Sequence, residues 1–260
     1  MAYEKPVILP ETVQPQSEQR AELHDLEVTR LTPRIETRMA ATTAAPETWQ
    51  RLSIITDELF RHSKKHYAHS LRVALYTHDL AVAEGQPGVE SGDYLAAGLG
   101  HDVGKVAVDT AILEATQGLT DEQFKRQAIH PKVGFLMLRQ TSLKLALVAG
   151  MHHLYRKNGY GIDIAKDKDI PTDLDPKVIA DAIATAKLLM IADSFDAAVT
   201  RRDGRSKASF GNMEGKRREL VEAFPEEVER IDWLFAHRLP PTPSLDLSAK
   251  RIGRQLITAQ

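Results

Sequence analysis

Apolar residues recur along this chain at intervals of three and four, the period of one helical face. Trp49, Leu52, Ile55 and Leu59 with Phe60 form one such row and predict a helix from about Glu47. Leu71, Ala74 with Leu75, His78 and Ala81 with Val82 form a second, over His69 to Glu84, with Gly85 as its stop. Ser91 is a candidate cap for a third helix, from Asp93 toward His101. Thr120 with Gln123 resembles a capping box, opening a helix that ends near His130–Pro131. Lys132–Arg139 and Leu143–His153 are two further apolar helical stretches. Asp175 and Pro176 have the character of an N-cap and a first-turn proline for a long helix through about Val199. Pro225 opens another helix, with Val228, Ile231, Leu234 and Phe235; Pro240, Pro241 and Pro243 interrupt it, and Leu245–Ile257 reads as a last one. No alternating strand pattern is evident. The predicted fold class is all-α, with about seven to nine helices.

The intervals between helices differ in character. Residues 1–47 carry five prolines, with eight acidic and five basic residues. They read as a flexible or weakly structured lead-in with at most a short helix from Ser17 to Glu27. Asn158–Asp175 reads as a loop, and its 163–175 part has five acidic and two basic residues without the spacing of a calcium loop. Residues 201–218 are an irregular basic stretch, seven basic against two acidic. The expected division is a lead-in at 1–47, a catalytic domain at 48–220, and a C-terminal helical extension at 221–260 packing on it.

Composition narrows the chemistry. The 260 residues include ten histidines and no cysteine, and the formal net charge is −2. Without cysteine there is no disulfide scaffold, thiolate zinc site, iron–sulfur cluster or cysteine nucleophile. No apolar run reaches the ~18 residues of a membrane span, and the N-terminus lacks a secretory layout. A cytoplasmic protein with no membrane partner is expected. The near-zero charge argues against binding a nucleic acid duplex.

His69, His101-Asp102, His130, His152-His153 and Asp193 each fall in or beside a predicted helix within apolar sequence. A single histidine on an apolar helix is more often a packed core residue than a ligand. Five histidines and two aspartates in one helical domain form a donor set for borderline divalent metals such as Fe, Mn, Zn or Co. Neighbours on a helix point about 100° apart, so His101 and Asp102 can reach one ion, or two adjacent ions, from different directions. A carboxylate can bridge two metals. Two ions about 3.5–4 Å apart would hold a hydroxide and clamp a phosphoryl oxygen, the machinery of phosphoester hydrolysis.

His101-Asp102-Val103-Gly104-Lys105 resembles the His-Asp-x-Gly-Lys signature of HD-domain metal phosphohydrolases. His69-Ser70-x-Arg72-Val73, His130-Pro131-x-x-Gly134, the doublet His152-His153 and Ala192-Asp193-Ser194-Phe195-Asp196-Ala197 extend the likeness over about residues 50–207. In this order the blocks resemble the HD-GYP subfamily, the bacterial cyclic di-GMP phosphodiesterases. The resemblance implies an HD-domain helical bundle. It implies that His69, His101, Asp102, His130, His152, His153 and Asp193 hold two divalent ions, Fe or Mn foremost, with Zn, Co and Ni as alternatives. Asp102 would bridge, and Lys105 would sit near the attacking water or the scissile phosphate as a catalytic and substrate-binding group. Arg202 and Arg205 match basic positions that contact substrate phosphates, a role suited to a guanidinium fork. Asp196 reads as a partner to a ligand rather than a ligand.

Departures from the pattern are specific. The subfamily's His-His-Glu-x-x-Asp-Gly-x-Gly-Tyr-Pro becomes here a segment from His152 to Gly161 that is one residue shorter, with Leu154 for the glutamate and Gly161 for the proline. That loop shapes the substrate entrance and meets partner domains. Lys65 stands where some members carry a glutamate for a third metal, so two ions are expected. Gly204 stands where a tyrosine is common. His62, His66 and His78 match nothing and read as surface or packing residues.

The implied function is hydrolysis of a cyclic dinucleotide, cyclic di-GMP above all, through a metal-bridging hydroxide. One alternative is an HD-type phosphohydrolase for another nucleotide or phosphoester. The other is a metal-bound, weakly active nucleotide-sensing module. A homodimer or a signalling-protein partner fits any of these.

Overall fold

A computed structural model describes residues 16–42, 45–86, 92–115, 118–200 and 212–240. Among them there are helices and turns and no strand, so the all-α class holds. The helices are α1 (Gln16–Ala40), α2 (Pro46–His62), α3 (Lys64–Ala83), α4 (Asp93–Gly100), α5 (Thr110–Leu113), α6 (Asp121–Gln127), α7 (His130–Leu138), α8 (Leu143–Met151), α9 (Pro176–Thr200), α10 (Met213–Ala223) and α11 (Val228–Ala236). A short 3-10 helix, Val103–Ala107, follows α4, and another, Pro225–Glu227, precedes α11.

Helix α3 is the axis of the bundle. It packs against α1, α2, α4 and α9, and it buries Leu71, Val73, Ala74, Leu75 and Leu80. Burial on nearly every face explains why its apolar pattern spreads round the helix instead of forming a stripe. Ser63 separates α2 from α3: its backbone is extended and its hydroxyl caps the His66 N–H. The second predicted helix therefore begins five residues before His69. The capping box at Thr120 and Gln123 is present in both directions, and Asp175 accepts from the Lys177 N–H at 2.8 Å at the start of α9. The Leu245–Ile257 helix expectation lies outside the described residues.

Three expectations change. The lead-in is not weakly structured over 16–40, where one continuous helix accommodates Pro33. Leu31 and Ile35, one turn apart on α1, are buried in the core, and Val28 and Met39 pack beside them. This burial outweighs the single backbone bond that proline removes. Residues 213–218, expected to be irregular, form the first part of α10. The expected boundary at residue 221 falls within that helix. Beyond it, Ile231 and Leu234 of α11 enter the same core, and Phe235 meets Phe195 of α9 edge-on at 5.0 Å.

Among the described residues no helix is long and apolar enough to cross a membrane.

Candidate metal centre

The site forms where α3, the end of α4, the start of α7, the end of α8 and the middle of α9 converge. Three of the histidine rings are fixed by their own helix turns. His101 Nδ1 lies 2.8 Å from Gly98 O, His130 Nδ1 2.7 Å from Gln127 O, and His152 Nδ1 2.7 Å from Ala149 O. A carbonyl only accepts, so each Nδ1 carries the proton and donates it. In the neutral ring Nε2 is then the lone-pair nitrogen. All three Nε2 atoms face one carboxylate, Asp102. They lie 3.4 Å (His101), 3.3 Å (His130) and 3.8 Å (His152) from its oxygens. His130 Nε2 and His152 Nε2 are 3.4 Å apart.

The glycines of the two motifs bring these groups together. A Cβ on Gly104 would lie 2.0 Å from His130 O and 2.5 Å from Gly134 N. Only glycine lets the turn after Asp102 press against the first turn of α7. That contact sets His130 against Asp102.

His69 and Asp193 complete the cluster from α3 and α9. His69 Nδ1 donates to Asp196 Oδ2 at 2.7 Å, while Nε2 lies 3.0 Å from Asp193 Oδ1 and 3.5 Å from Asp102 Oδ2. Asp196, fully buried, is held in turn by Arg72 through a two-point contact, Nε at 2.6 Å and Nη2 at 2.9 Å. Arg72 Nη1 then meets Glu27 of α1 at 2.8 Å. His153 is also buried; its Nδ1 is 4.0 Å from Asp193 Oδ2, and its ring lies 4.6 Å from that of Tyr160.

Two cations border the cluster. Lys105 Nζ donates to Asp102 Oδ2, and Arg156 Nη2 donates to Asp193 Oδ2. Lys105 is where the signature implies. Arg156 was not singled out in the sequence, where it is one basic residue in the turn after the double histidine. Arg72 and Glu27 were likewise not foreseen as supports of His69. Arg202 and Arg205 lie outside the described residues.

The electrostatics oppose a cluster of protonated imidazoles. Burial drives His130 down from 6.5 to about 4 despite the opposing pull of Asp102. Burial also takes His152 and His153 well below the ordinary histidine range, with further lowering from the neighbouring imidazoles. His69 goes the other way: burial would lower it, but Asp193 and Asp196 together raise it. Burial would raise both Asp102 and Asp193. The groups beside them, the His101 ring and Lys105 at the first and Arg156 and His69 at the second, hold both carboxyls well below their usual range.

These facts test the donor set against a metal. Neutral rings present lone pairs to an ionised carboxylate and to one another at 3.3–3.8 Å. His101 Nε2 and His153 Nδ1 are buried without a hydrogen-bond partner. Such an arrangement is costly unless a cation lies among the donors. Three groups, His130/His152/His153, His69/His101/Asp193 and His101/Asp102/His152, each have donor atoms within 4.8 Å of one another. All seven residues implied by the resemblance fall in these groups, and their nitrogen-and-oxygen chemistry suits divalent ions.

The altered loop lies alongside. Gly161 has φ of +126°, a backbone that proline, fixed near −65°, cannot adopt. It lets the chain pass close over α8, where the Ile162 N–H donates to Gly150 O at 2.8 Å. Tyr160 stays against His153. Asp167 and Asp169 of the acidic loop are tied to Lys132 on α7 at 2.5 and 2.6 Å. Lys65 points away from the cluster, donating to Leu113 O at 2.9 Å.

A family model described as HD domain matches residues 66–198, just over half of the chain. The chain belongs to the HD domain family. HD domains are in general metal-dependent phosphohydrolases, and the His/Asp cluster of this one has the donors to hold metal. No curated protein matches the chain significantly.

Proposed function

We propose that this HD domain protein is a metal-dependent phosphodiesterase of the HD-GYP type that hydrolyses a cyclic dinucleotide, cyclic di-GMP foremost. The observation that carries the reading is the gathering of five histidines with Asp102 and Asp193 in one buried cluster. His69, His101, Asp102, His130, His152, His153 and Asp193 would hold two divalent ions, iron or manganese. Bound there, the ions would supply Lewis acidity at the phosphoryl oxygens and an activated water.

The chain's own groups do the rest. The Nδ1-to-carbonyl bonds lock three rings with Nε2 inward, so no reorientation is needed when an ion or substrate arrives. The two oxygens of Asp102 face different histidines, His130 and His152 on one side and His69 and His101 on the other. That division suits a carboxylate shared between two positions. Lys105 places an ammonium beside the point where negative charge grows on the phosphate. Arg202 and Arg205 would meet the substrate's phosphates.

The test is elemental analysis of anaerobically purified protein together with an assay of the same sample against cyclic dinucleotides, cyclic mononucleotides and nucleoside triphosphates. Metal-replete protein that cleaves no cyclic dinucleotide removes the reading. A second reading keeps the metal centre but changes the substrate. It is favoured by Gly161, whose backbone gives the entrance loop a course that a Gly-Tyr-Pro loop cannot take. Preferential cleavage of a triphosphate would establish it.

A further inference from the structure

Arg156 comes from the turn that replaces the acidic stretch of the subfamily pattern. Among the described residues its side chain has one hydrogen-bonded partner, Asp193. That carboxylate is divided: Oδ1 lies 3.0 Å from His69 Nε2 within the cluster, and Oδ2 accepts from Arg156. The guanidinium can therefore stay in place while Oδ1 serves as a ligand. Arg156 Nε is buried with no hydrogen-bond partner, yet the side chain keeps 29% of its exposure. It thus stands at the rim with most of its five donors unused.

A cation at the edge of a centre that holds two more is repelled by them, and anions must lie between. Asp193 is one. The remaining donors call for a second, and a guanidinium fork matches the non-bridging oxygens of a phosphate. We propose that Arg156 is a substrate-binding residue, anchored on Asp193 and donating its remaining N–H groups to non-bridging oxygens of the phosphoester held at the centre. The inference rests on the metal-dependent phosphohydrolase reading of the cluster but not on the identity of the substrate.

The probe is inorganic phosphate, titrated calorimetrically into manganese-loaded full-length protein, Arg156→Gln and Arg156→Lys. Metal content and helicity are measured on the same samples. The glutamine variant is expected to keep its metal and to bind phosphate about ten- to hundredfold more weakly, the range for a hydrogen bond to a charged group. The lysine variant, with charge but no fork, should fall between. Unchanged phosphate affinity in metal-replete Arg156→Gln overturns the inference. Absence of phosphate binding by wild type does so too, as does loss of metal from both variants, which would make Arg156 a support for Asp193 alone. If the glutamine variant does not fold, the lysine variant decides. Wild type that binds phosphate through Arg156 but cleaves no cyclic dinucleotide leaves the inference standing and removes only the proposed substrate.

Discussion

The two carboxylates at the heart of the cluster each carry a cation, but they acquire it differently. Asp102 takes Lys105 from its own turn, three residues on. Asp193 takes Arg156 from a turn 37 residues earlier in the chain. The first pair is enclosed by helix ends, with His101, His130 and His152 fully buried round it. In the second pair Asp193 is buried and Arg156 reaches it from a partly exposed turn. The difference separates two tasks. Asp102 draws its cation from local geometry, while its histidines come from four helices, and it suits the holding of ions. The Asp193 side is assembled by tertiary contact and is free to vary with what enters.

The hardest blow to this contrast is removal of Asp102, the carboxylate proposed to be shared. Asp102→Ala should abolish metal occupancy and turnover together. Metal analysis and rate are read together, and retained metal would break the picture of Asp102 as the hub.

Acid should strike the two sides unequally in metal-free protein. His130 is held at about 4 against an ordinary 6.5, so the unfolded chain takes up its proton first. Its contribution is complete above pH 6.5 and is lost as pH falls toward 4, a cost of about 3 kcal/mol. His69 is raised, so its contribution is present below pH 6.5 and is lost as pH rises through its folded value. His152 and His153 are lowered as well, so three rings oppose His69 and urea midpoints at pH 7, 5.5 and 4 should fall monotonically. A flat profile would contradict the neutral state of His130 and His152.

Asp196→Asn sharpens the other side. It leaves all seven donors in place but weakens the group that orients His69, and metal affinity should drop about 10- to 100-fold. An unchanged affinity would mean that α9 positions His69 without help.

A last expected effect, on stability rather than on metal affinity, is that of Gly104→Ala. The added methyl meets the His130 carbonyl, and relief of that overpacking should cost about 1–3 kcal/mol. Calorimetric melting of metal-free protein measures it. A loss of metal affinity without a lower melting temperature would show strain confined to the site.

How much of this was legible follows the same division. The Asp102 side was readable because its contacts are local: a motif of five residues contains the ligand, the carboxylate, the glycine and the lysine. Helices with intact caps, at Thr120 and Asp175, were readable for the same reason. Arg156 was not, since nothing in a ten-residue window indicates that a turn will fold back onto Asp193. Nor was the second half of α1, where Pro33 and the flanking charges concealed Leu31 and Ile35. Their value lies in a core assembled from distant segments.

The chain of contacts from Glu27 through Arg72 and Asp196 to His69 has a thermodynamic meaning. Helix α1 lies outside residues 66–198, the span matched to the family, yet its carboxylate is three contacts from a donor of the cluster. Linkage is reciprocal. Whatever an ion gains from a well-held His69 it returns to the docking of α1, and release of α1 weakens the ion by the same factor. Amide exchange in α1 is thus a remote gauge of occupancy at the centre.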